Sequence, residues 1–299
     1  MSHGHLHARR RLAHPGLSSS LTRVVDDLPG VGDALWRVAR RYVGGRDLAE
    51  AEQCARRLVA QGCQVSLDLF GVRAGEPAVG SVTDSYVALS RATAAWNTDV
   101  WLSVDPSRLA LHESWSTGVR SLERIAGSLA QGCRLQVGAE SERSAECTLQ
   151  AVLKLAEAGL PVMATLQANL RRSHDDAERL ATAGVPVRLV KGAFIESPRV
   201  SWRTPEQIDA SFVHIARSLC SSGAEVSLAT HDRELREELL LSLGPLACEV
   251  GLGVRPQDLD ELVRCEISTR IYMPYGPEWL HFYLRRLAEA PPRAVRGAR

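Results

Sequence analysis

One punctuation recurs along the chain. A stretch with helical spacing of apolar residues ends in Gly, and a short apolar, β-branched run follows at once. Leu58–Gly62 precedes Cys63–Leu69, Leu129–Gly132 precedes Cys133–Val137, and Leu155–Gly159 precedes Leu160–Leu166. Leu180–Gly184 precedes Val185–Val190, Ser221–Gly223 precedes Ala224–Ala229, and Leu243–Gly244 precedes Pro245–Val250. Glycine supplies the left-handed backbone just past a helix end, and a strand buried on both faces reads as a continuous apolar run. Asp99–Val104 and Arg270–Pro274 fit as two more strands. Asp47 with Glu50 reads as a capping box opening the helix before the first strand.

Eight β/α units in about 240 residues predict an α/β fold of the (β/α)8, TIM-barrel type. The competing solution is a doubly wound open sheet, which usually carries a Gly-rich turn after its first strand. Here the first strand runs into Asp68-Leu69-Phe70-Gly71-Val72-Arg73, with no GxGxxG. Residues 1–24 are basic, His-rich and Ser-rich without an apolar period, which predicts a flexible N-terminal arm. Residues 25–299 then form a single barrel domain.

Composition narrows the function classes. Lys plus Arg is 36 and Asp plus Glu is 35, a balance unlike the basic excess of a dedicated nucleic-acid binder. No apolar run approaches the length of a membrane-spanning helix, and the N-terminus lacks the apolar segment of a secretory signal. The chain is therefore expected in the cytoplasm. Seven cysteines with no CxxC pair read as reduced thiols rather than a disulfide frame or zinc site. His3, His5 and His7 have alternate spacing, and a disordered tail explains them more simply than a metal site does.

In a barrel of this kind, chemistry sits where the strands end. The polar groups there are Asp68, Asp105, Glu140, Gln167, Lys191, Thr230, His231, Asp232, Tyr272 and Tyr275. Only one of them is a histidine, so a metallohydrolase is poorly supported. Lys191 and Lys154 are the only lysines in the chain. Lys191 closes an apolar strand and precedes Gly192 and Ala193, small residues that would let a flat ligand approach the backbone. A cation there would stabilise negative charge on a ligand. Arg285 and Arg286 are adjacent on the last helix and diverge by about 100°. They face one ligand only if that helix lies across the site; spacing alone reads as a solvated face with a Glu289 ion pair.

Several segments, taken together, resemble the proline dehydrogenase family. Arg188-Leu189-Val190-Lys191-Gly192-Ala193-Phe194 is similar to its RLVKGAY segment, and Ala229-Thr230-His231-Asp232 to its ATH[ND] strand end. Leu166-Gln167-Ala168 resembles LQAY, and Leu67-Asp68-Leu69-Phe70-Gly71 resembles LDLLGE. Tyr272-Met273-Pro274-Tyr275-Gly276, running into Arg285-Arg286-Leu287-Ala288-Glu289, resembles the YxPYGxxW…RRLAE terminus. The matches come in family order across residues 65–290.

The resemblance implies a distorted barrel with a C-terminal helix over the active site and FAD over the strand ends. It implies hydride transfer from the carbon next to the nitrogen of L-proline to flavin N5, giving 1-pyrroline-5-carboxylate, with electrons passing to a membrane quinone. Reaching that acceptor would need peripheral contact with the inner face of the membrane; the basic arm would suit weak contact with anionic lipid, but a passive tail explains it more simply. By the same resemblance, Gln167, Arg188, Lys191, Gly192, Ala193, Thr230, His231 and Ala139 would contact FAD, and Arg188 and Tyr272 would serve catalysis. Arg285 and Arg286 would hold the substrate carboxylate, since guanidinium forks suit one. Phe194 and Phe282 would line the substrate, and Glu289 would orient the arginines.

Two positions depart together. Asp105 stands where the family places a Lys, and Gly138 where it places an Asp, in Gly138-Ala139-Glu140. The exchanges remove a cation and an anion, as a coupled change would. A carboxylate at 105 would repel a substrate carboxylate unless it pairs with an amine or Arg. A divergent enzyme acting on another small carboxylated amine, imino acid or hydrazino acid, and a degenerate FAD-binding barrel, therefore stand beside proline oxidation.

Overall fold

A computed structural model describes residues 30–71, 78–96 and 100–289; the arm at 1–24 lies outside them. A helix, α1 (Val31–Ala39), precedes α2 (Leu48–Ala60). Eight units then follow: β1 (Gln64–Leu69) and α3 (Ala78–Ala94); β2 (Val100–Val104) and α4 (Trp115–Ala126); β3 (Leu135–Val137) and α5 (Glu142–Glu157); β4 (Val162–Gln167) and α6 (Ser173–Thr182). The second half holds β5 (Val187–Val190) and α7 (Pro205–Ser221); β6 (Val226–Ala229) and α8 (Arg233–Leu243); β7 (Ala247–Gly251) and α9 (Pro256–Arg264); β8 (Thr269–Tyr275) and α10 (Trp279–Glu289). All strands pair in parallel and in sequence order, and β8 closes on β1 through six registered pairs from Gln64↔Arg270 to Leu69↔Tyr275.

The glycine punctuation holds in the backbone. Gly62, Gly132, Gly159, Gly184, Gly223 and Gly244 all have φ between 66° and 93°. Gly132 closes a separate turn rather than a helix, because α4 already ends at Ala126. Only half of the expected capping box forms at α2. Asp47 accepts from the Glu50 N–H at 2.9 Å, but the Glu50 carboxylate turns to the Arg46 N–H at 2.8 Å and pairs with its guanidinium. A full box does form at α7, where Thr204 and Gln207 cap each other ahead of Pro205.

The core lies between barrel and helices. Val65, Leu67, Leu102, Val104, Leu135, Val137, Val187 and Leu189 point outward, fully buried against helical residues such as Leu122, Ile125, Leu155 and Phe212. Each such side chain stabilises the fold by about 1.5–3 kcal/mol through burial. The alternate, inward positions are mostly polar, with Ser66, Asp68, Ser103, Gln136, Arg188, Glu249 and Arg270 beside the apolar Trp101 and Met163.

The last unit departs from a regular barrel. The chain leaves β8 at Gly276, whose φ is 127° and whose added Cβ would lie 2.0 Å from the Phe70 carbonyl oxygen. Only glycine allows that approach, and it throws α10 over the barrel mouth. There Phe282 meets Phe70 edge-on at 4.9 Å, at the end of β1. The other face of α10 packs on α1 and the turn after it, with Trp36 edge-on to Trp279 at 5.1 Å and Tyr42 stacked on Tyr283 at 6.2 Å. The outer layer beside β8 is filled instead by α2, which packs on β1 and β8.

Candidate active site

Beneath α10, at the carboxyl ends of the strands, the inward side chains form two networks that meet at Tyr272. On the β1–β2 side, Asp68 is buried at 1% exposure. It accepts from Tyr86 Oη at 3.1 Å, from Arg108 Nη1 at 3.2 Å and from the Tyr272 hydroxyl. Tyr86, on α3, shares its single proton between Asp68 and the Ser103 carbonyl, the nearer acceptor at 2.8 Å. Burial, with Asp105 close by, pushes the Asp68 carboxyl above the usual carboxylate range, against the pull of Arg108 and the two phenols. Burial and Asp68 likewise drive the Tyr86 phenol well up.

On the far side, Arg188 of β5 forms an ion pair across the barrel with Glu249 of β7 and lies 5.4 Å from the Tyr272 ring centroid. Glu249 is 2% exposed and accepts from Gln136 Nε2 of β3 at 2.6 Å. The charges touch, but the Arg188 Nε–H does not point along the contact, so Nε and Glu249 Oε1 both lack a hydrogen bond. Strands 3, 5 and 7 are not neighbours, so these contacts pass through the barrel interior.

His231 follows β6. Its Nε2 accepts from the Gly251 N–H at 2.9 Å, which leaves the proton of a neutral ring on Nδ1. Burial, then the charges of Arg286 and Arg188, push the imidazole down to about 4. Arg286, on α10, is near enough to the β6 end for its charge to act on His231, and Phe282 reaches the β1 end. The helix spans the mouth, so the solvated-face reading of the Arg pair does not hold for Arg286. The side chains of Arg285 and Glu289 lie outside the described residues.

Lys191 and Gly192 are placed differently from the expectation. Lys191 Nζ is held by Asp209 Oδ1 at 2.5 Å and Asp232 Oδ2 at 2.7 Å, so its charge is already matched; burial opposes that charge, and the two carboxylates raise its pKa regardless. Asp232 also caps α8 through the Leu235 N–H. The space in front of Gly192 belongs to Asn169, whose Oδ1 lies 2.0 Å from where a Cβ would be. Gly192 admits a side chain rather than a flat ligand. Ala193 and Phe194 stand on the exposed rim, Phe194 at 45%, away from the buried networks.

Gln167 is buried and donates to the Glu140 carbonyl at 2.7 Å, beside Ala139. The Glu140 carboxylate accepts from the Ser107 N–H and contacts His112, both at 3.0 Å. The Thr230 hydroxyl oxygen accepts from the Asp232 N–H at 3.1 Å and keeps its own proton to donate. Asp105 and Gly138 are coupled in space: Asp105 Oδ1 lies 2.7 Å from where a Gly138 Cβ would be. Sequence reasoning missed Tyr86, Arg108, Gln136, Asn169, Asp209 and Glu249. A lone acid in the apolar β7 run was a signal for Glu249; no comparable signal marked Asp209 on its helix.

Among the described residues no group of three or more His, Cys, Asp or Glu is arranged to hold a metal ion, and no helix is long and apolar enough to cross a membrane.

These features coincide with one set of relatives. The chain is 26% identical over 266 residues to "Proline dehydrogenase 1" of Bacillus subtilis subsp. natto, covering 86% of this chain and 88% of that protein. It is 26% identical over 276 residues to "Proline dehydrogenase" of Deinococcus radiodurans, covering 87% and 89%. In three dimensions it resembles proline utilization A (PutA) from Bdellovibrio bacteriovorus, a structure inactivated by N-propargylglycine. The TM-score there is 0.77 at 20% identity, over 89% of this chain and 34% of that one, so the chain spans about a third of PutA. The family described as "Proline dehydrogenase" matches residues 51–293, from the helix before β1 to the helix over the mouth, and the chain belongs to that family.

Proposed function

We propose that the chain is an FAD-dependent dehydrogenase that oxidises the carbon–nitrogen bond of L-proline to 1-pyrroline-5-carboxylate. The observation that carries the reading is the path of α10, which brings Arg286 over the β6 end and Phe282 over the β1 end of one enclosed mouth. A guanidinium there would hold the substrate carboxylate, with Arg285 beside it in sequence. Phe282 and Phe70 would close the space above the ring and exclude water.

The donor set fits FAD. Arg188, the Thr230 hydroxyl and the Nδ1–H of a neutral His231 are directed donors on the β5–β6 side, and Gln167 offers its amide oxygen. When bound there, FAD supplies the acceptor for the hydride leaving the carbon next to nitrogen. Glu249 fixes Arg188 so that its charge bears on the mouth at the position where negative charge develops. Tyr272 donates to Asp68 and presents its ring between Arg188 and the β1 network, so it would pack against the substrate. Lys191 would reach a phosphate by exchanging one of its two carboxylates, and Ala139, Gly192 and Ala193 would contribute backbone contacts. A membrane quinone would take the electrons, reached from the rim where Phe194 and Ile195 are exposed.

An anaerobic absorbance spectrum of purified protein, before and after L-proline, tests this. A yellow protein that bleaches supports it. A yellow protein that stays oxidised rejects proline, and a protein that takes up no FAD rejects the cofactor.

A further inference from the structure

Among the described residues, Asp105 is the carboxylate of the mouth that neither a protein hydrogen bond nor an ion pair engages. Asp68 takes three donors, Glu140 takes the Ser107 N–H and His112, and Glu249 accepts from Gln136 and forms an ion pair with Arg188. No protein donor reaches the Asp105 side chain among the described residues, and it is only partly buried. It follows β2 directly, two residues past Ser103, which registers with inward Asp68 and Gln136. By strand alternation it belongs to the inward set, and its charge is felt by Asp68, Tyr86 and Arg108.

Its position depends on a neighbour. Oδ1 lies 2.7 Å from where a Cβ at 138 would be, so only glycine there leaves the carboxylate in place. Arg108, the cation whose charge it shares, already donates to Asp68. Across the mouth the charge is of the opposite sign, with Arg286 and Arg188 acting on His231. The mouth is thus polarised, negative at β2 and positive at β5, β6 and α10.

We propose that Asp105, lodged over Gly138, is the cation-recognising residue of the site, taking hydrogen bonds from a protonated nitrogen of the substrate while the arginine side takes its carboxylate. This rests on the amino-acid oxidation reading and narrows it: the preferred ligand is a zwitterion laid across the mouth. The nitrogen is the ring ammonium of a proline or a second amine on a substituted one, and the chemistry that recognises either is the same.

Calorimetric titration of the FAD-supplemented full chain distinguishes these sources with three probes: L-proline, cyclopentanecarboxylate (the carboxylate without nitrogen) and 4-aminoproline. The wild-type protein should bind one of the amines at least tenfold tighter than the probe lacking that nitrogen. Proline above cyclopentanecarboxylate identifies the ring ammonium; 4-aminoproline above proline identifies a second amine. Asp105→Asn should erase that preference and bind cyclopentanecarboxylate more tightly, because a repelling charge is gone. Gly138→Ala, which displaces the carboxylate without removing it, should weaken the same preference, with thermal melts confirming that both variants are folded. Preference retained in both variants, or no binding of any probe by the wild-type protein, overturns the assignment. Flavin bleaching by proline without an amine preference leaves the proline reading standing and sinks this one. An Asp105-dependent preference without bleaching does the reverse.

Discussion

Replacing His231 by Gln should remove an acid-sensitive component of stability. The ring is partly buried at the mouth, its Nε2 accepts from Gly251, and Arg286, Arg188, Arg236 and Arg255 oppose a positive charge on it. Its pKa falls from an ordinary 6.5 to about 4. The unfolded chain therefore takes up the proton first as pH drops. Stability from the neutral ring is present above about pH 6.5 and is lost as pH falls toward 4. At 1.36 kcal/mol per pKa unit, the full loss is about 3 kcal/mol, of which about 2 kcal/mol has gone at pH 5. Glutamine places an oxygen near the Nε2 position, so the Gly251 N–H keeps an acceptor and only the titration is removed. Urea unfolding of both proteins at pH 7.5 and pH 5 measures the difference. The wild-type protein should lose about 2 kcal/mol more than His231→Gln over that interval. Parallel pH dependences, or a ring resonance that titrates near 6.5 in the folded protein, would refute the reasoning.

Glu249→Gln should lower the urea midpoint and raise KM for the oxidised substrate, because Arg188 is left in the barrel without its counter-charge. Breaking a buried pair from one side costs about 3–5 kcal/mol, and a change under about 1 kcal/mol would show that Arg188 is solvated where it stands. Gly253→Ala should loosen the cover over the mouth. Its φ is 71° and the new Cβ would sit 1.9 Å from the Arg41 carbonyl oxygen, in the segment joining α1 to α2. The expected loss is at least about 2 kcal/mol, read as a lower melting temperature and faster amide exchange in α1 and α10. Unchanged exchange there would mean that α1 does not depend on this contact.

Much of the frame was legible in residue order because its causes are local. Each of the six glycines marking a helix exit or turn needs only its own backbone to adopt positive φ. The runs from Cys63 to Val250 are apolar because strands covered by helices must be, whatever their neighbours. The half-formed box at Asp47 shows the limit of such reasoning: Glu50 had two partners within reach, and Arg46, a charged one, took it.

The site depended on distances that no spacing encodes. Arg188 and Glu249 are 61 positions apart by number and meet only because β5 and β7 face one interior. Gly192 is small because Asn169 fills the space before it, and Lys191 is neutralised by Asp209, a residue whose helix gives no sign of that role. The resemblance to a family indicated which positions matter, yet the partnership of Asp105 with Gly138 became a contact only when β2 and β3 were set side by side. The Arg285-Arg286 pair posed the sharpest ambiguity. Adjacent helix positions face one ligand or solvent according to where the helix lies, and that was decided by a close approach of Gly276 to Phe70, an event of closure between the two ends of the barrel. Local propensities named the elements; closure of the sheet and the path of α10 decided which side chains share the mouth, because only packing brings together groups that the chain keeps far apart.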